Sequence, residues 1–447
     1  MRLVFLAAVA IAALGSIGAG GGATAADGLS VAVVDLQPGP YSATVRWQVS
    51  RPAAVVVEYG LDDGFGVWSR RIDSGPDRAG RTGLTSLEPA RTYRFHVVAR
   101  AGGARAEAVG AVTTSAQPMW VGASVSPRAL AVASQPFFPR MAWSQCPWAY
   151  QMSVAAGVNL FMGTCGDTHQ QIASLGGRAL SVTPVASHAD GPGVIGFYQQ
   201  DEADATVGRV EDLPLLPPSK TSRRVTFLTL TGHFYSGSAP LPQGRAMYPE
   251  LVKRAEMIGF SIYPLQTWCR RATLGAVFDA QRELVALAAG KPTYQWIEAG
   301  PMEFCSGLDP SPALVRAETW LAIAGGARGV GWFPGVWTAP IAAEIAELSH
   351  EISSLAHGLL GEDGIAHVTP DGSPVRAGVR RANGATYVIA VNSWIDPVRA
   401  RITVPGLSAR TVRVYGENRT VQVRNGTIAD SFRGLHARVY VAAPPWG

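Results

Sequence analysis

Apolar and polar residues follow three different rhythms along this chain. From residue 27 to 115, short runs such as SVAVVDL, SATVRWQV, AAVVVEYG and TYRFHVVAR alternate apolar with polar positions and are separated by clusters of Gly, Pro, Asp and Ser. That period of two, punctuated by turn formers, predicts a small β-sandwich. After the linker TTSAQP, between residues 120 and 361, the rhythm changes. Runs rich in Val, Ile, Phe and Trp now alternate with stretches such as CPWAYQMSVAAGVN, GRAMYPELVKRAEM, LGAVFDAQRELVALAAG and PALVRAETWLAIAGGAR, in which apolar residues recur at three and four. The predicted strands are FFPRMAW, LFMGT, ALSVTPV, VIGFYQQ, VTFLTLT, IGFSIYPL, TYQWIE and GVGWFPG. Eight strands interleaved with helices predict a closed parallel (β/α)8 barrel, a TIM barrel, rather than an open sheet. Two units are irregular: ASHADGPG leaves little room for a third helix, and the Pro-rich DLPLLPPSKTSRR forms a long loop after the fourth strand. From residue 366 to 447 the two-residue alternation returns, with Asn-Gly and Pro-Gly turn signals, and predicts a second, C-terminal β-sandwich.

A length of 447 residues suits these three domains. Residues 1–26 precede them: Met1-Arg2, an apolar run from Leu3 to Leu14, and a small-residue end at Ala23-Thr24-Ala25-Ala26 have the zones of a secretory signal peptide. The expected mature chain begins near Asp27 and is extracellular, with cell-wall association left open. The apolar core is short for a membrane span and no Cys follows it, so no span is expected in the mature protein. Net charge is +5, but only three lysines occur and the arginines are scattered, which gives no stripe for nucleic acid.

The four cysteines each fall just beyond a predicted barrel strand: Cys146 after the first, Cys165 after the second, Cys269 after the sixth and Cys305 after the seventh. Neighbouring strands offer neighbouring thiols, so in an oxidising compartment the expected pairs are Cys146 with Cys165 and Cys269 with Cys305. The spacings needed for a zinc site are missing.

Barrel sites lie where the strands end. The first strand delivers Trp143, Ser144 and Gln145 there; the fourth Asp201 and Glu202; the fifth His233; the sixth Tyr263; the seventh Glu298; the eighth Trp332, with Trp337 beyond. In a closed barrel the fourth and seventh strands face each other, so Glu202 and Glu298 are expected to meet across the mouth. Two carboxyl groups about 5 Å apart, one ionised and one protonated because both cannot ionise cheaply, are what retaining glycosidic cleavage requires. Indole faces such as Trp143, Trp268, Trp296, Trp332 and Trp337 supply flat apolar platforms for sugar rings, although buried Trp is the commoner fate. One isolated strand-end Glu is more often a cap or an ion-pair partner. His233 fits a hydrogen-bonded wall residue, and Asp204 a solvated one. A Ser-centred elbow, a phosphate-binding Gly loop and a dinucleotide fingerprint are all missing despite 50 glycines.

Trp47 and the segment Leu87 to Tyr93 resemble the core Trp and tyrosine corner of a fibronectin type III domain. Residues 137 to 361 resemble clan A of the glycoside hydrolases in the order and position of their strand-end acids. That resemblance implies Glu202 as acid/base, Glu298 as nucleophile, Tyr263 as the nucleophile's hydrogen-bond partner and Trp332 beneath the sugar. The chain departs from the pattern where Asp201 precedes Glu202 and Ala203 follows it, and where Ser261 stands two before Tyr263 in place of a histidine that His233 could replace from the fifth strand. Asp201 is left with three roles: acceptor for a sugar hydroxyl, raiser of the Glu202 pKa, or the acid itself. The expectation is a secreted, monomeric, retaining glycoside hydrolase acting on a polysaccharide or cell-surface glycan without metal or cofactor. The rival is a glycan-binding or wall-attachment protein on a barrel that has lost its chemistry. A metal-dependent phosphatase, suggested by the N-terminal sandwich alone, lacks a clustered Asp/His/Asn set.

Overall fold

The computed structural model describes residues 28–62, 70–187, 189–214, 223–302, 304–305 and 307–443. The signal peptide expected at residues 1–26 lies outside them. Eight parallel strands close a barrel: β1 Arg140–Gln145, β2 Leu160–Thr164, β3 Leu180–Pro184, β4 Val194–Tyr198, β5 Val225–Thr231, β6 Met257–Ser261, β7 Thr293–Glu298 and β8 Val330–Phe333, with β8 pairing back onto β1. All eight expected strands are present. The helices are uneven, because several connections carry too few residues for a full one. α1 Pro147–Ala155, α5 Gly275–Leu287, α6 Pro312–Gly325 and α7 Ala339–Leu359 are substantial, whereas α2 His169–Ala173, α3 Ala203–Thr206 and α4 Tyr248–Leu251 are one turn or so. After β3 there is only a 3-10 turn, Val185–Ser187.

Strand parity decides what each side chain meets. Met141, Leu160, Met162, Leu180, Val182, Phe227, Met257, Tyr294 and Trp296 point inward and fill the barrel. Ala142, Phe161, Leu228, Phe260, Ile297 and Trp332 point outward into the layer shared with the helices. A three-stranded meander, Ala123–Ser126, Ala129–Val132 and Gln135–Phe137, contributes Leu130, Val132 and Phe137 to the interior cluster and closes the end opposite the mouth.

The N-terminal domain is an antiparallel five-stranded β structure. Its Trp47 is buried and donates its indole N–H to Thr82 Oγ1 at 3.1 Å. The Tyr93 hydroxyl accepts from the Glu88 amide at 2.8 Å, which fixes the corner before that strand. The same corner joins the domain to the barrel. Glu88 accepts from Arg140 Nη1 at 2.7 Å and from Ser353 of α7 at 2.8 Å, and it also pairs with Arg91. Burial alone would raise the Glu88 carboxyl, but the charges of Arg140 and Arg91 override it and hold the group well below its ordinary value. Arg140→Ala removes the most buried cation of this cluster and is expected to cost about 3 kcal/mol, read by urea unfolding. Because the Glu88 pKa is depressed in the folded state, its contribution is present above the ordinary carboxyl range and fades as pH falls through it.

The C-terminal domain is a nine-stranded antiparallel β-sandwich. Its Val375–Ala382 and Ala385–Asn392 hairpin turns through Asn383 and Gly384, both at positive φ, which explains the Asn-Gly dipeptide. This hairpin lies on α6 so closely that a Cβ at Gly378 would sit 2.0 Å from the Ala324 carbonyl oxygen. Among the described residues no helix is long and apolar enough to cross a membrane.

Candidate active site

Just past β4, Asp201 and Glu202 occupy a tight turn into α3. Glu202 adopts the left-handed conformation, φ 47° and ψ 51°. A non-glycine residue there carries backbone strain, and such strain persists only where neighbours enforce it. The enforcing neighbour is Asp204. It is fully buried, not solvated as its polarity suggested, and accepts from the Thr231 amide at 2.8 Å, from the Thr231 hydroxyl, and from the Tyr248 hydroxyl at 2.9 Å. The one-turn α3 is thereby pinned to the end of β5, and the turn holding Glu202 is pinned with it.

Glu202 Oε1 accepts from Ser261 Oγ at 2.7 Å. It borders a pocket of about 180 Å³ whose walls include Thr231, His233, Ser261, Tyr263 and Trp268. His233 has its Nδ1 2.7 Å from the Ala239 carbonyl oxygen, so the ring is held as a wall. Asp201 is exposed at the surface but partly desolvated by the turn around it, and that desolvation with the Glu202 charge beside it pushes its carboxyl up to about 6. Its charge also raises Tyr198, Tyr263 and Tyr294, aromatic residues at the throat of the barrel. There Trp143 lies edge-on to Tyr198 at 5.1 Å and to Trp296 at 5.8 Å, and Tyr263 stacks on Phe333 at 6.0 Å. Asp201, Glu202, Tyr263, Trp143 and His233 are thus gathered around the mouth.

Glu298 is not with them as a free acid. Its exposure is 0 %, and its two oxygens accept from the Leu265 and Gln266 amides, each at 2.8 Å. Those amides belong to the loop after β6. The carboxyl also meets Glu318 of α6, likewise 0 % exposed, whose oxygens have no other partner. Desolvation raises both groups, and the Glu298 charge lifts Glu318 further, well above its ordinary value. To attack an anomeric carbon, Glu298 would have to leave both amides and the buried layer. The expectation of Glu298 as a free acid at an open mouth is therefore corrected: it holds a loop, while its charge still acts on Tyr263 together with those of Glu202 and Asp201. Tyr263, expected to bond it, makes no hydrogen bond to it. Glu318 was missed, although its neighbours at three and four, Leu314, Val315, Leu321 and Ala322, mark a Glu facing the core.

Two tryptophans are also corrected. Trp332 has 0 % exposure, lies outside the barrel wall and donates its indole N–H to Thr319 of α6 at 3.2 Å. Parity is the cause, since Gly331 and Phe333 take the inward positions of β8. Trp337 packs edge-on against Trp332 at 6.5 Å and donates to the Pro334 carbonyl oxygen at 2.8 Å. Neither can carry a sugar. The disulfides pair as expected, Cys146 with Cys165 and Cys269 with Cys305, with Cα separations of 4.8 and 5.3 Å. The second ties the loop after β6 to the loop after β7.

No family model matches the sequence, and no curated protein matches it. Solved structures similar to this chain include a GH30 endoxylanase from Clostridium papyrosolvens, at 10% identity over 72% of this chain and 99% of that one, TM-score 0.40. A putative alpha-galactosidase/melibiase from Bacteroides fragilis is 11% identical over 92% of this chain and 97% of that one, TM-score 0.44. A beta-glucuronidase from Parabacteroides merdae is 9% identical over 93% and 75% respectively, TM-score 0.29. The closed eight-stranded parallel barrel flanked by antiparallel β domains rests on this chain's own strand pairings.

Proposed function

We propose that this chain is a secreted glycoside hydrolase whose working acids are the adjacent pair Asp201 and Glu202. The observation that carries the reading is a protonatable carboxyl beside a second carboxylate at an aromatic-lined barrel mouth. Asp201, pushed up to about 6, is suited to give a proton to a departing glycosidic oxygen. Glu202, held by Ser261 in a strained turn, is its fixed partner. Trp143 and Tyr263 give apolar faces for a sugar ring. Two disulfides and the expected leader are compatible with an oxidising, extracellular setting. In this reading the N-terminal domain, with its buried Trp47 and Tyr93 corner, is a fibronectin type III-like spacer.

A second reading is favoured by the burial of Glu298: a glycan-binding protein that retains the mouth and has lost turnover. Hydrolysis and binding assays of the wild-type protein over aryl glycosides and plant and bacterial wall glycans distinguish the two. Release of reducing sugar that vanishes in the Asp201→Asn, Glu202→Gln double variant supports the hydrolase. Saturable binding with no released sugar supports the second reading and removes the first.

A further inference from the structure

Arginines that the sequence scatters are collected by strand pairing. Between residues 366 and 447, eleven arginines and no lysine stand against four carboxylates, so this one domain exceeds the +5 of the whole chain. Some of them are engaged within the protein. Arg376 pairs with Asp279 and Arg380 with Asp363, Arg381 donates to the Pro405 carbonyl oxygen, and Arg419 and Arg438 share Glu417 and Asp430. The rest, Arg399, Arg401, Arg410, Arg413, Arg424 and Arg433, are exposed and pair with no carboxylate among the described residues. An excess of one sign confined to one domain points to a partner of the other sign.

Arg399 and Arg401 lie in a groove. The strands His367–Thr369, Val398–Thr403 and Thr427–Phe432 run side by side, with Val398–Thr403 in the middle. Alternation sends Ala400, Ile402, Ile428 and Phe432 into the sandwich core and leaves Arg399, Arg401, Ala429 and Ser431 outside. Arg401 stands directly across from Ala429 on one side and from Thr369 on the other, and Arg399 across from Ser431. Long side chains on the middle strand beside short ones on its neighbours border a trough of about 660 Å³. The two arginines are spaced about 7 Å along the strand. Asp430 also borders the trough, but it stands across from the buried Ala400, and its carboxyl accepts from Arg419 Nη2 at 2.8 Å and from the Tyr440 hydroxyl at 2.7 Å.

We infer that this trough is a docking site for an acidic polysaccharide, a glycan chain bearing uronate carboxylates, with Arg399 and Arg401 holding carboxylates and Thr369 and Ser431 bonding ring hydroxyls. The inference goes beyond the hydrolase reading and does not depend on it, because every lining residue belongs to the C-terminal domain. Charge complementarity selects an anion, and the planar fork of arginine matches the two oxygens of a carboxylate. Hydroxyl side chains beside the arginines suit a polyhydroxylated carrier. The lining holds no aromatic face on which a nucleic-acid base could stack and no large apolar side chain to enter a bilayer.

The test is calorimetric binding of the full chain to polygalacturonate, with its carboxyl methyl ester as the uncharged match. Saturable binding of the acid form is expected, at least about tenfold weaker for the ester, because charge-assisted bonds from arginine are lost with the carboxylate charge. Raising salt from about 50 to about 200 mM should weaken it further, since the paired charges are exposed to solvent. The double variant Arg399→Ser, Arg401→Ser should lower affinity at least about tenfold, whereas Arg410→Ser, Arg413→Ser, which removes the same charge outside the trough, should lower it less than about threefold. Unfolding midpoints equal to wild type accompany both. Equal losses in the two double variants, or equal binding of acid and ester, overturn the inference. Tighter binding to duplex DNA or to phosphatidylglycerol vesicles than to polygalacturonate overturns it as well, and so does absence of binding to the polymer.

Discussion

Asp201→Asn and Glu202→Gln should each lower kcat/KM on a cleaved glycoside by about 10²- to 10⁴-fold, the range expected when a positioned proton donor or its charged partner is removed. In the proposed role Asp201 works only while it carries its proton, so activity should fall as pH rises through about 6. The two variants should separate on that limb. Removing the Glu202 charge takes away one of the two causes that raise Asp201, so Glu202→Gln should move the limb to lower pH. Asp201→Asn should abolish it. Neither residue anchors a core element, so thermal midpoints within a few degrees of wild type accompany these losses. Initial rates between pH 4 and 8, with melting curves on the same samples, check the whole pattern. Equal rates in all three proteins remove Asp201 and Glu202 from the chemistry.

Glu298→Ala should act on stability. It leaves the buried Leu265 and Gln266 amides without an acceptor, at about 1–3 kcal/mol each, so a total loss of about 3–5 kcal/mol is expected in denaturant unfolding. The loop so released carries Trp268 and follows Tyr263, and binding at the mouth weakens with it. The pair with Glu318 adds a pH signature. Both carboxyl groups are raised in the folded state, so the native protein binds more protons than the unfolded chain above the ordinary carboxyl range. Stability should therefore be greatest in mild acid and decline as pH rises. Glu318→Gln retains a donor for Glu298 without a second ionisable group, and should flatten that decline. Unfolding midpoints at pH 5 and pH 8 that move in parallel for wild type and Glu318→Gln would show that Glu318 is not the source of the decline.

Much of the fold was legible because strand and helix rhythms are local. LFMGT, VTFLTLT and TYQWIE coincide with β2, β5 and β7 residue for residue. Cysteine pairing was legible because barrel order converts sequence order into spatial neighbours. The site was legible only where a residue's position past a strand end decides its surroundings, as for Asp201, Glu202 and Tyr263. It was misread where parity or a distant partner decides. Trp332 stands at a strand end in the outward phase, which the small Gly331 and the following Phe333 encode. The fate of Glu298 depends on two main-chain amides and on Glu318 from α6, and main-chain donors leave no mark in a sequence. Asp204 was misjudged for the same reason, since the Thr231 amide and hydroxyl that hold it arrive from another strand.

The ion cluster of Glu88, Arg91 and Arg140 sits at the start of β1, and every strand runs from there toward the mouth. The leading module is therefore a handle clamped to the barrel at the end remote from the mouth. Anything that grips this handle, whether a surface or a neighbouring polymer, orients the opening outward, and cutting the peptide between handle and body would leave them clasped.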